Sequence, residues 1–163
     1  MEQHAQMTIH HDFLARAIDL ALRSIDVGGG PFGAVIAKDN IIIAEAMNES
    51  RQSNDPTAHA ELLAIRAAGV RLQRRNLGDC ILYTSCEPCP MCLAACYWAE
   101  ISSVIYACSG ADAAAIGYPD SAILAELCRD SSERRVLLRS AMREEGLHVF
   151  QIWASKLAGE QKG

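Results

Sequence analysis

No stretch of this chain approaches the ~18 consecutive apolar residues that a membrane span needs. The opening run Met1-Glu2-Gln3-His4-Ala5-Gln6 leads into no apolar segment of the kind that directs secretion. Neither a membrane location nor export is expected. Positive charge is scarce as well: 15 Lys and Arg stand against 20 Asp and Glu, a formal net charge of −5. Non-specific nucleic-acid affinity rests on cations that neutralise phosphates, so nucleic acid is an unlikely partner and small uncharged molecules fit better. The one basic cluster, Arg71 with Arg74 and Arg75, falls near the end of an expected helix, where cations suit the negative end of the dipole. Internal repeats, low-complexity segments and linkers are absent too. The 163 residues, half of them apolar, are expected to form a single domain, with residues 1–10 loose.

Cysteine is what the chain has in excess: Cys80, Cys86, Cys89, Cys92, Cys96, Cys108 and Cys128. An odd number in a chain without secretory features argues for a reducing cytoplasm rather than a disulfide framework. Two of these thiols are assigned below to a metal, and the other five are expected to be small buried hydrophobes.

Apolar residues at helical spacing from Asp12 to Ile25 predict an amphipathic helix that Gly28-Gly29-Gly30 stops. Phe32 to Ala37 and Ile41 to Ala46 predict two strands joined by a tight turn at Lys38-Asp39-Asn40. Asp55 and Pro56 look like an N-cap and first helical residue of a helix to about Ala68. A strand is expected over Cys80 to Thr84, a helix over Cys89 to Ala99 and a strand over Val104 to Ala107. Beyond Ser109 the pattern predicts a loop to about Ser121, a helix near Ile123 to Cys128, a strand at Val136 to Leu138 and a helix from Leu147 to Leu157. Alternation of this kind implies an α/β fold, a three-layer α/β/α sandwich around a mixed, mostly parallel five-stranded sheet.

The chemistry gathers in two short runs, Pro56-Thr57-Ala58-His59-Ala60-Glu61 and Pro88-Cys89-Pro90-Met91-Cys92. One imidazole and two thiolates, His59, Cys89 and Cys92, are a natural three-ligand set for Zn2+ with the fourth tetrahedral position left for water. Cys89 and Cys92 stand three apart, which on a helix puts their Cβ atoms about 5–6 Å apart on one face. First-turn amides there stabilise thiolate. His59 and Glu61, two apart, would point to opposite sides of a regular helix, so His59 is expected at the loop-to-helix junction with Glu61 reaching around from the first turn. Cys86, three before Cys89, is the competing fourth ligand that would close the site and make the metal structural.

His-x-Glu followed by Pro-Cys-x-x-Cys is the signature of zinc deaminases that act on nucleobases. With Gly29-Gly30-Pro31-Phe32-Gly33-Ala34-Val35-Ile36 and Leu82-Tyr83-Thr84-Ser85-Cys86-Glu87-Pro88 beside it, the chain resembles the cytidine deaminase superfamily from about Phe13 to Trp153. The run Asp112-Ala113-Ala114-Ala115-Ile116-Gly117-Tyr118-Pro119-Asp120 looks like that of its guanine deaminase branch, although Pro119 replaces an acidic residue. The resemblance implies one Zn2+ per chain and hydrolytic deamination of a purine base, guanine to xanthine plus ammonia. Glu61 would then carry protons, Phe32 would stack on the base and Asn48 would hydrogen-bond a ring atom. Asp120 would hold the leaving nitrogen, with backbone amides near Ala60 and Glu87 orienting the ring. It also implies a homodimer with exchanged C-terminal segments, although the family's closing aromatic is replaced here by Glu160-Gln161-Lys162-Gly163. Phe150 and Trp153 match a family run and are expected in the core. Alternatives are another amino-heterocycle or nucleoside (ammeline, guanosine, cytosine), adenosine in transfer RNA, or a catalytically silent zinc-binding protein.

Overall fold

The computed structural model describes residues 2–160, with side chains over 10–159. Helix α1 (Glu2–Asp26) comes first, then strands β1 (Gly33–Lys38) and β2 (Ile41–Met47), helix α2 (Ala60–Leu72) and strand β3 (Ile81–Cys86). Helix α3 (Pro90–Trp98), strand β4 (Ser103–Cys108), and helices α4 (Gly110–Ala115), α5 (Asp120–Leu127) and α6 (Arg143–Glu160) complete the chain. α1 therefore starts well before the expected Asp12, and no loose segment precedes it among the described residues; the side chains of residues 1–9 lie outside them.

The sheet runs in the order β2-β1-β3-β4. Both neighbours of β1 are antiparallel to it, and only β3 and β4 run parallel. The sheet is thus mixed, as expected, with β2, β3 and β4 running in one direction and β1 against them, but it has four strands among the described residues rather than five. The reason is connectivity. A two-residue turn forces β1 and β2 antiparallel, with Asp39 and Asn40 both at positive φ (49° and 62°) as a type I′ hairpin requires. The crossovers through α2 and α3 are each long enough to bring the chain back in the same direction, so β3 runs the way of β2 and β4 lies parallel beside β3. The expected strand at Val136 to Leu138 forms no ladder, and all three residues are exposed.

Alternation along β1 and β3 builds the two faces. Ala34, Ile36 and Leu82 pack with Ala60, Ala64 and Ala68 of α2 and Cys96 of α3, while Val35, Ala37 and Tyr83 pack with Ala17 and Leu20 of α1. This is the three-layer sandwich. The α1 layer lies so close that a side chain at Gly33 would run into the Ala17 carbonyl and sit 2.6 Å from the Ala21 nitrogen. Two of the three arginines expected near the end of α2 are occupied: Arg71 donates to the Ile43 carbonyl at 2.7 Å, and Arg74 pairs with Asp79, which Lys38 also reaches at 2.9 Å.

Contacts divide the chain into two compact units, residues 1–125 and 126–163. In the second, Phe150 and Trp153 are exposed, along with Val149, Ile152 and Leu157. The expectation that Phe150 and Trp153 are core residues is corrected: α6 alone offers no second apolar layer against which to bury them.

Candidate active site

His59 and Glu61 are placed by a turn rather than by the helix cap the sequence suggested. The Asp55 carboxylate accepts the Thr57 amide at 2.8 Å and the Thr57 hydroxyl at 2.7 Å, an Asx-type turn that spends Asp55 locally. The helix consequently begins later, at Ala60, with His59 as its extended N-cap (φ −74°, ψ 149°). An N-cap residue is not bound by helical geometry, so the imidazole and the Glu61 carboxylate, two positions apart, both reach the same site. Cys89 is likewise the N-cap of α3 (φ −63°, ψ 166°), with Pro90 at the first helical position and Cys92 one turn in.

His59 Nδ1 lies 3.6 Å from the sulfurs of both Cys89 and Cys92, and the three ligand atoms all fall within 4.8 Å of one another. Two tetrahedral ligands at ordinary Zn–S and Zn–N bond lengths are expected about 3.6 Å apart. The cluster fits a zinc ion without rearrangement. Among the described residues it has three members, and Cys86 is not one of them. That thiol instead points at the Ser109 carbonyl, 3.6 Å away, and burial pushes it up to about 11, making it a poor thiolate donor. Cys89 is held well below the usual thiol range by hydrogen bonds from Cys92 and His59. The remaining thiols divide: Cys80 and Cys96 are buried as expected, whereas Cys108 and Cys128 are exposed, because one ends the outer strand β4 and the other follows an exposed helix.

Beside the cluster is a cavity of about 80 Å³ lined by Gly30, Phe32, Asn48, Ser50, Arg51, His59, Glu61, Glu87, Cys89, Tyr118 and Asp120. One water needs roughly 10–15 Å³ of such space, so the volume suits a small planar molecule. Glu61 is 5% exposed, and burial pushes its carboxyl up to about 7. Burial also raises Asp120, the first residue of α5. Phe32 is braced by Tyr118, whose ring meets it edge-on (90°) at 4.9 Å.

Of the residues singled out from the sequence, Phe32, Asn48, His59, Glu61, Glu87, Cys89 and Asp120 line this cavity. Cys92 sits behind it, fully buried. Ala60 is fully buried and absent from the lining. The Glu87 amide is not free to orient a ring, because it donates to the Cys108 carbonyl at 2.8 Å; its carboxylate accepts the Gly110 amide at 2.8 Å. That second contact belongs to the start of α4, where the sequence pattern predicts a loop. Ser109 and Asp112 form a capping box that starts α4, and the signal was legible as Ser-x-x-Asp. Ser50, Arg51 and Tyr118 were not anticipated. Ser50 and Arg51 lie in a polar loop without a motif.

Residues 7–108 match the family described as the cytidine and deoxycytidylate deaminase zinc-binding region. A guanine deaminase of Bacillus subtilis is 52% identical over 145 residues, spanning 88% of this chain and 93% of the relative. A crystal structure of guanine deaminase from Bacillus subtilis superposes with a TM-score of 0.86 at 51% identity, covering 90% of this chain and 94% of the other. More distant are a guanine deaminase from Nitrosomonas europaea (TM-score 0.64, 30% identity, 66% of this chain and 63% of that one) and a tRNA-specific adenosine deaminase of Aquifex aeolicus. The latter is 44% identical over 94 residues, 58% of this chain and 62% of the relative.

Proposed function

Because the chain belongs to the cytidine and deoxycytidylate deaminase zinc-binding family, we propose that it is a zinc-dependent aminohydrolase that converts guanine and water to xanthine and ammonia. The observation that carries the reading is a three-ligand cluster overlooked by a buried carboxylate, in a cavity of nucleobase size. His59, Cys89 and Cys92 would hold the ion. Bound there, zinc supplies the Lewis acidity that brings a water's pKa down to about 7.

The protein's own groups do the rest. Phe32, steadied by Tyr118, offers its ring to the face of the base, and Asn48 holds a ring atom at the edge. Glu61 accepts a proton as the water oxygen adds to the ring carbon bearing the amine, and returns it to the adjacent ring nitrogen. Glu61 then passes the proton given up by the newly added hydroxyl to the exocyclic amine, which Asp120 holds in place, so that the nitrogen leaves as ammonia while the oxygen remains as the new carbonyl. A panel of amino-heterocycles assayed for ammonia release is expected to show guanine turned over at least about tenfold faster than cytosine, guanosine or ammeline, a margin that pocket contacts alone readily supply. Turnover of folded RNA with none of free bases would overturn the substrate.

The same reading treats residues 1–163 as one deaminase domain working in the cytoplasm, a setting that keeps cysteines out of disulfides. Among the described residues no helix is long and apolar enough to cross a membrane. It also includes a homodimer with exchanged C-terminal segments, supported by the apolar residues that α6 leaves exposed. Light scattering is expected to return twice the chain mass; a monomer's mass at working concentration would refute the dimer.

A further inference from the structure

Asn48 is held more tightly than a side chain that merely lines a cavity. Its amide N–H donates to the Phe32 carbonyl at 3.0 Å and its carbonyl accepts the Ser24 hydroxyl at 2.9 Å, so the backbone is pinned from both sides. The side chain is pinned again. Its Oδ1 accepts the Ser50 amide at 3.2 Å and the Ser50 hydroxyl at 2.8 Å.

These two contacts decide which way the amide faces. A backbone N–H can only donate, so the atom of Asn48 turned toward it must be the oxygen. The hydroxyl then fills the second lone pair of that oxygen. What remains of the side chain's hydrogen-bonding capacity is Nδ2 with its two N–H groups, on a residue that lines the cavity.

We infer that Ser50 is a positioning residue that makes Asn48 a pure hydrogen-bond donor toward the substrate, so that the base is recognised at this edge through an acceptor atom, a ring nitrogen or carbonyl. The inference rests on the reading of the cavity as a purine site. It also explains the balance of polar groups there. Glu61, Glu87 and Asp120 are carboxylates suited to the N–H groups of a base, and Asn48 stands with Arg51 and Tyr118 among the lining side chains that can donate to its acceptors. Without the Ser50 hydroxyl, one lone pair of Oδ1 is freed and a single long bond opposes rotation of the amide. Asn48 can then present its oxygen as well as its nitrogen to the cavity.

The test is a double-mutant cycle on the zinc-loaded enzyme. Ser50→Ala is expected to raise KM for guanine about 3- to 10-fold, the effect of one neutral hydrogen bond, while kcat stays within about twofold. Ser50→Thr, which keeps the hydroxyl, should restore the wild-type KM. In an Asn48→Ala background, Ser50→Ala should change KM no further, since the group it acts through is gone. An unchanged KM in Ser50→Ala, or the same increase with and without Asn48, would overturn the inference. If the wild type does not act on guanine, the substrate reading fails by itself, and the cycle is run on whichever amino-heterocycle releases ammonia, with the same outcomes deciding the role of Ser50.

Discussion

Glu61→Ala is expected to keep its zinc and lose ammonia release by about 10²- to 10⁴-fold, the range that a positioned general acid–base contributes. The two halves of this outcome have separate causes. Zinc stays because Glu61 lies outside the cluster of His59, Cys89 and Cys92. Turnover falls because no other group is equally placed to carry the proton. Asp120 also borders the cavity, but it begins α5, whereas Glu61 sits in the first turn of α2, two residues from the ligand His59. Metal analysis of the purified variant, beside the ammonia assay, separates the two. Loss of zinc would make Glu61 a support for the ligands, and near-normal turnover would remove it from the chemistry.

Cys92→Ala should lose both metal and activity, whereas Cys86→Ala should lose neither. Cys92 is fully buried, and its sulfur stands 3.6 Å from His59 Nδ1, so its removal takes away one of three ligands and leaves a void at the start of α3. Zinc per chain is expected to drop close to zero. The melting temperature should also fall, because an ion held by His59, Cys89 and Cys92 would tie the N-terminus of α2 to that of α3 and favour the folded state. Cys86 is buried as well, and losing its sulfur also leaves a small cavity, which makes the pair a fair comparison. Full zinc in Cys92→Ala, or zinc loss in Cys86→Ala, would mean that the ligand set is wrong.

Most of the fold could be read from the sequence where one local force dominated. The hairpin at Asp39 and Asn40 followed from residues that tolerate positive φ, and β1, β3 and α3 followed from apolar runs between turn residues. Reading failed where two local patterns competed. Asp55-Pro56 has the composition of a helix start, yet the Thr57 amide and hydroxyl capture the Asp55 carboxylate first. Ser109 and Asp112 carried a capping box inside a segment too short for helical periodicity to register. Val136 to Leu138 has strand composition but no neighbour to pair with in the unit that contains it.

By itself, the sequence determined the chemistry: which side chains can bind a soft dication, which carboxylate can carry a proton beside it, and which family uses that combination. These are properties of residue type and short spacing, which survive without coordinates. Tertiary structure alone decided that His59 leaves the helix as its cap, that Cys86 turns toward Ser109 and away from the metal ligands, and that Ser50 reaches back to Asn48. Each is a choice between hydrogen-bonding partners that are all within reach along the chain. Only the packed sheet and its loops fix which partner is close enough to win.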